Sequence, residues 1–399
     1  MPVARLSVVV VSAGRPRALA RCLTALSQLR STRFEVIVVA DADGLAVSCT
    51  LPMSDRLTLV PQEVENISAA RNAGIAVAAG DVVAFIDDDA VPEPDWAEAL
   101  LRGFDRPEVG AVTGPVLGRN GISLQWGRMV VDRQGRDRWL EAQASPVHGE
   151  VLKLHGTNMA VRRTCLTLTG GFDTGFKFYL DETDLALRLA AAGAQTRYLP
   201  AARVHHGFAA SARRRADRVP LSLHDIGASS ALFLRKHAPD AQETALDLLI
   251  ADQRARLLRM ARARRIGPAE MRSLMESLAA GIAEGRDRRS DVPTCPLAEP
   301  HAFVPLNIEL PPEMIRRDGW LHRARMLRDQ AAVDVAAGRP SALILLEPTP
   351  RKHRVEFTEG GWWEQRGGLF GPSDRAGARV QFWCYRSRVA AEWAGFFAA

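Results

Sequence analysis

The chain has 399 residues, 47% of them apolar and 25% charged, a length for two or three domains and a balance that excludes disordered and fibrous classes. Its formal charge of +6 is nearly all arginine, with lysine only at Lys153, Lys177, Lys236 and Lys352, a skew read as genomic and not as a sign of nucleic-acid binding. The five cysteines, at 22, 49, 165, 295 and 384, form no CxxC pair, so neither a disulfide framework nor a zinc site is implied, which fits a reducing cytoplasm.

Leu6 to Val11 is too short for a secretory core and is followed at once by Arg15, Arg17 and Arg21, so it reads as a first buried strand. No stretch approaches the roughly 18 apolar residues of a membrane span. Pro16 to Leu29 spaces Leu19, Cys22, Leu23 and Leu26 as one helical face. Phe34 to Val39 is a second strand, Leu57 to Val60 a weak third, Ser68 to Ala79 a helix stopped by Gly80, and Val82 to Ile86 the next strand. Strands alternating with helices predict a parallel, doubly wound sheet. From Val109 to Gly156 the pattern loosens into short strands and polar loops. Helices are predicted over Met159 to Thr169 and Asp181 to Ala192, a strand over Gln195 to Tyr198, and arginine-rich helix from Ala228 to Arg265. Pro293 to Pro311 reads as a linker. A helix (Glu313 to Ala337) and strands at Ala342 to Leu346, Arg354 to Phe357 and Arg379 to Trp383 follow. The segment from Glu359 to Gly368 reads as a glycine-flanked turn without a chemical role.

The most informative residues are Asp87, Asp88 and Asp89, at the exit of the Val82 to Ile86 run. Three carboxylates there are costly unless something positive neutralises them. Side chains two apart on an extended chain point the same way, so Asp87 and Asp89 can face one ion together. Carboxylate oxygens suit Mg²⁺ or Mn²⁺, which share such sites with substrate phosphates. Open α/β sheets bind ligands at the carboxyl ends of their strands. The competing reading is a solvated acidic turn before a helix starting near Pro94.

Other candidates surround this one. The first turn lacks GxGxxG spacing, which disfavours a dinucleotide fold, but places Ser12, Gly14 and Arg15 where a nucleotide can lie. Asp41 follows the second strand and can accept from a base N–H or a ribose hydroxyl; Asp43 competes for that role, and a plain turn is the alternative. Arg71 can pair with phosphate or steady a carboxylate. Asp181 is a good N-cap and Asp184 falls at the third helical position, yet an ionised, positioned carboxylate is also what a general base requires. His205 or His206 can complete a metal's ligand set or contact a diphosphate.

These pieces resemble a family 2 glycosyltransferase with the GT-A fold. The matching segments are Ser7 to Val11, Glu35 to Val39, Ala70-Arg71-Asn72-Ala73-Gly74, Ala84 to Asp89, Gly156 to Arg163 with Asn158, Gly170-Gly171-Phe172-Asp173, and Asp181-Glu182-Thr183-Asp184-Leu185-Ala186-Leu187-Arg188-Leu189. They cover roughly residues 5 to 240. The resemblance implies an α/β, Rossmann-like, mostly parallel sheet flanked by helices, and transfer of a sugar from a nucleotide-diphosphate donor with inversion. It implies that Asp87 and Asp89 form the metal-binding pair, for which His205 and His206 are the candidate further ligands named above. Asp41 then holds the base and Asp184 is a structural or donor-loop contact; Ser12, Gly14, Arg15, Arg71, Asp88 and Asn158 stay candidate donor contacts, with Asp43 as the competitor to Asp41. The family's acidic pair is reversed here, so Glu182 occupies the base's slot and Asp181 is the alternative.

The expected layout is a glycosyltransferase domain over 1–240, an arginine-rich helical region over 241–292, and a mixed α+β accessory module over 293–399 of unknown role. Arg213, Arg214, Arg215 and Arg218, and the cluster from Arg254 to Arg265, read first as solvated faces and second as a dock for anionic lipid or a phosphate-bearing acceptor. The C-terminal tryptophans, Trp320, Trp362, Trp363, Trp383 and Trp393, are expected to build a small core. Expected partners are a nucleotide sugar and a carbohydrate, lipid-linked or small-molecule hydroxyl acceptor. The expected location is cytoplasmic, with peripheral contact at the inner membrane face as an option; oligomeric state stays open. Rival readings are a sugar-nucleotide nucleotidyltransferase, for which the first turn fits poorly, and a catalytically degenerate sugar-nucleotide-binding scaffold.

Overall fold

Continuous β-branched runs are stable only where both faces of a strand are covered, and the two such runs near the N-terminus lie at the centre of the molecule. A computed structural model describes residues 4–62, 65–207, 215, 217–292, 302–374 and 377–397. Leu6–Ser12 is flanked by Phe34–Ala40 and Val82–Asp87, all parallel, with Leu57–Pro61 beyond Phe34–Ala40. On the other side Met159–Arg162 runs antiparallel between Val82–Asp87 and Val109–Thr113, and Gln195–Tyr198 closes the seven-stranded sheet. The mostly parallel α/β sheet flanked by helices is as expected.

One face is covered by Pro16–Ser27 and Trp96–Arg102, which bury Leu19, Leu23, Leu26, Trp96 and Leu100. The other is covered by Ile67–Val77 and Asp181–Ala191, through Ile75, Leu185 and Leu189 against Phe85 and Phe172. The register pairs Ser12 with Ala40 and Val11 with Asp87. The loops after three parallel strands therefore leave the sheet at one edge.

The predicted helix over Met159 to Thr169 is corrected in its first half. Met159–Arg162 is a strand and the helix is Arg163–Thr169. Met159, Ala160 and Val161 are fully buried because they fill a slot between two sheet neighbours, a long-range constraint that outweighs local propensity. The Asp-rich turn after the second strand also differs: Ala42–Cys49 is a helix with Asp41 as N-cap.

Two smaller sheets sit beyond the edge where the loops emerge. One has the order Ala90–Pro92, Val204–His206, Val116–Leu117, Leu124–Trp126; the other has Met129–Asp132 between Asp137–Trp139 and Glu150–Leu152. Helices His224–His237, Gln242–Arg262 and Pro268–Asp287 share a core from Val219 to Ile282. The first and third cross so closely that a Cβ on Gly281 would lie 2.0 Å from the His224 carbonyl oxygen. Among the described residues no helix is long and apolar enough to cross a membrane.

The last hundred residues form a second parallel arrangement, with Ser341–Glu347 between Ile315–Trp320 and Trp363–Gly368, and Arg354–Phe357 antiparallel at the edge. Three expectations are corrected here. The helix begins only at Ala324 and ends at Ala336, because Ile315–Trp320 alternates its exposure and pairs as a strand. Trp363–Gly368 is a buried strand, not part of a turn. Arg379 to Trp383 carries no strand, and Tyr385–Gly395 is helical instead. Trp363 and Phe357 pack with Val91 and Ala25 of the N-terminal part, and Trp320, Trp383 and Trp393 pack in a neighbouring apolar cluster.

Candidate active site

The acidic triplet divides its labour by direction. Asp87 ends its strand with a side chain 31% exposed, while those of Asp88 and Asp89 are at most 1% exposed. Asp88 turns under the first loop, accepting from Ser12 Oγ at 2.7 Å and pairing with the Arg15 guanidinium at 2.6 Å. Loss of solvent pushes its carboxyl up to about 7, against the pull of Arg15. Arg15 also lies 3.3 Å from Asp89.

Asp87, Asp89 and His206 each offer one ligand atom, all within 4.8 Å of one another. His206 Nε2 is 3.1 Å from Asp89 and 3.9 Å from Asp87. Two hard carboxylate oxygens and an imidazole suit a divalent cation of the Mg²⁺ or Mn²⁺ kind, and the repulsion within the triplet gives the set a reason to hold one. His205 is not part of this set. Neighbours on a strand face opposite ways, so its Nε2 meets Glu93 at 3.0 Å and its ring packs on Trp363 at 4.8 Å between centroids.

Arg71 links this cluster to the next helix. It is buried beneath Phe85 and Phe172, pairs with Asp181, donates to the Gly156 carbonyl at 3.1 Å, and lies 3.7 Å from Asp87. Asp181 is thereby engaged, whereas Glu182 is half-buried beside it. Desolvation first, and the Asp181 carboxylate second, hold Glu182 well above the usual carboxylate range, with Lys153 pulling the other way. Tyr179 and Leu180, immediately before, have φ of 72° and 66°. Two consecutive left-handed non-glycine residues are strained, and such strain is found where a neighbouring side chain must be aimed.

The remaining candidates separate. Asp41 accepts from the Gly44 amide at 2.9 Å and the Gly14 amide at 2.6 Å, tying the first two loops together, while Asp43 lies exposed in the first turn of the helix that Asp41 caps. Gly14 has φ of 68° and nothing within 4 Å of a Cβ there. Asn158 does not face the cluster. Its amide donates to the Pro115 and Ala202 carbonyls and its oxygen accepts from Trp96 Nε1, so it braces the framework. Asp184 is likewise turned inward and fully buried, against Arg188, Lys236 and His237 at 2.7 Å each, which hold its carboxyl down at about 2. Thr157, whose hydroxyl accepts from the Asp87 amide at 3.4 Å, and Trp126, tilted over His206 at 5.8 Å, join the site unannounced by any motif. Lys153 had one visible signal, as one of only four lysines. Arg213 and Arg214 lie outside the described residues; Arg215 pairs with Asp217 and Glu270.

The family model described as "Glycosyltransferase like family 2" matches residues 4–218. Among curated relatives, a pre-mycofactocin glycosyltransferase of Mycobacterium tuberculosis is 31% identical over 213 residues, covering 50% of this chain and 42% of its own length. The O-antigen biosynthesis protein RfbC of Myxococcus xanthus is 29% identical over 247 residues, covering 54% of this chain and 18% of its own length. The chain thus spans less than half of either relative. Of solved structures, a Pyrobaculum calidifontis mannosyltransferase in complex with GDP-Man and Mn²⁺ overlaps with a TM-score of 0.42 and 18% identity, over 71% of this chain and 87% of that one.

Proposed function

The chain belongs to glycosyltransferase family 2, and from that premise we propose that it moves a hexosyl group from a nucleoside-diphosphate sugar to a hydroxyl acceptor, with inversion at the anomeric carbon. The observation that carries this reading is the convergence of Asp87, Asp89 and His206 where the parallel strands end. In it, Asp87, Asp89 and His206 hold a Mg²⁺ or Mn²⁺ ion. That ion, when bound, supplies a Lewis acid for the growing charge of the departing diphosphate.

The protein's own residues do the rest. Arg15 and Ser12 keep the buried Asp88 in place beneath the first loop, so Asp87 and Asp89 stay aimed toward His206. Asp41, with lone pairs left beyond its two amide bonds, accepts from the nucleotide base. Arg71 immobilises Asp181 and so leaves Glu182 to take the acceptor's hydroxyl proton. A base with a raised pKa is matched to work near neutral pH. The reversed acidic pair, which motivates the scaffold alternative, still leaves a positioned carboxyl in the base's slot. We read residues 1–240 as the transferase unit and 293–399 as an accessory module.

The test is a panel of UDP-, GDP- and dTDP-hexoses with and without Mn²⁺ or Mg²⁺, followed by thermal shift and by release of nucleoside diphosphate. One donor is expected to raise Tm only with the metal, since ligands of the folded state stabilise it by mass action, and to be slowly hydrolysed. Absence of both binding and hydrolysis across the whole panel refutes the reading.

A further inference from the structure

We propose that the indole of Trp139 is the floor of the acceptor site and that the acceptor is a saccharide whose ring stacks on it. The inference rests on the transferase reading above and narrows its acceptor. Trp139 is 53% exposed. A lone exposed tryptophan needs no explanation, but the position of this one ties it to both ends of the reaction.

The strand register gives the first tie. Trp139 stands opposite Met129, Asp137 stands opposite Val131, and the Lys153 amide donates to the Met129 carbonyl. Cross-strand partners, and residues two apart, share one face of a sheet. Trp139, Asp137 and Lys153 are therefore on the same face. Lys153 pairs with Asp137, and its ammonium lies close enough to Glu182 to pull its pKa down.

The second tie runs toward the cation cluster. A Cβ on Gly127 would come within 2.7 Å of the Trp139 ring, so the glycine leaves a seat that the indole fills. Gly127 follows Trp126, whose ring lies between His155 at 5.9 Å and His206 at 5.8 Å. Trp139 thus packs on the residue that follows Trp126, whose ring contacts His206 of the cation cluster, while Lys153 on the Trp139 face interacts with Glu182.

The chemistry of this surface selects the ligand. An indole face offers apolar contact to the C–H face of a pyranose, while Lys153 and Asp137 on the same face offer partners for hydroxyls, with Glu182 within electrostatic reach of Lys153. An alkyl chain laid there would strip water from Lys153 and Asp137 and replace none of it. In the transfer, a hydroxyl oxygen of the stacked sugar attacks the anomeric carbon of the donor. The bond from that carbon to the diphosphate oxygen breaks with its electron pair on the diphosphate, and the hydroxyl proton passes to Glu182.

The test uses the donor found by metal-dependent hydrolysis, with methyl hexopyranosides and straight-chain C4–C8 alcohols as acceptor probes. Transfer to at least one glycoside is expected. Trp139→Ala is expected to lower the ratio of transfer to donor hydrolysis about tenfold, chiefly through the acceptor KM, and Trp139→Phe to recover most of it. A Trp139→Ala ratio within twofold of wild type, or hydrolysis without transfer to any glycoside, overturns the assignment alone. Absence of donor hydrolysis in the wild type refutes the transferase reading and this assignment with it.

Discussion

The C-terminal sheet and the strand ends of the N-terminal sheet both bury ionisable side chains, but they spend them differently. In the C-terminal part His353, Gln365, Arg388 and Glu392 are all buried. The Gln365 amide contacts His353 Nδ1 at 2.8 Å and donates to Glu392 at 2.5 Å; the Arg388 guanidinium contacts Glu392 at 2.9 Å and donates to the Gly371 carbonyl at 2.6 Å. This network is turned inward and fastens the Tyr385–Gly395 helix to the sheet. At the Asp87 cluster, two carboxylates and an imidazole aim at one point, and one of them is open to solvent. Burial of charge alone therefore does not mark a reactive site. What marks it is two carboxylate oxygens and an imidazole nitrogen converging within 4.8 Å of one another where the parallel strands end.

The largest test of that contrast is to remove a group from the open cluster. Asp89→Asn and Glu182→Gln are each expected to lower transfer by roughly a thousandfold or more, with unchanged circular dichroism; wild-type turnover in either purified variant contradicts the assigned role. Removing a member of the closed network should do the reverse. Arg388→Ala leaves the buried Glu392 carboxylate without its cation, with only the Gln365 amide against it, and is expected to cost roughly 3–5 kcal/mol in denaturant unfolding, while turnover per folded molecule stays within about threefold of wild type.

Asp184 sharpens the comparison, because it carries a motif of the first region but is wired like the second. Its folded pKa lies below the ordinary 3.8, so its ionised form adds stability that is present above about pH 4 and lost as pH falls toward 2. Asp184→Asn is expected to cost roughly 2 kcal/mol at pH 7, with the gap closing between pH 4 and 2. An undiminished gap at pH 2 contradicts the pairing. The smallest effect concerns Glu182. Its raised pKa places the rising limb of the rate profile above the usual carboxylate range, and Lys153→Met, by removing a pull downward, should move that limb to still higher pH.

Much of this contrast was legible in the residues. The buried strands announced themselves by β-branched runs, and the triplet stood out because three carboxylates at a strand exit demand a partner. The misses share a physical cause. Met159–Arg162 and Trp363–Gly368 are strands only because distant strands leave a slot for them, which no local pattern displays. Asn158 and Asp184 carry the right chemistry, but their partners, Trp96, Ala202, Lys236 and His237, are far away in sequence. The two histidines separate only in the structure, through the Val204–His206 strand. Once Val204–His206 is placed as a strand, alternation allows only one of them to face the aspartates.

The most direct test is a titration of Mn²⁺ into the full chain in the presence of a nucleoside diphosphate, followed by electron paramagnetic resonance, for the wild type, Asp89→Asn and His206→Ala. One ion per chain is predicted for the wild type, with affinity weakened tenfold or more in both variants. Equal stoichiometry and affinity in all three proteins would contradict the claim that Asp87, Asp89 and His206 hold the cation.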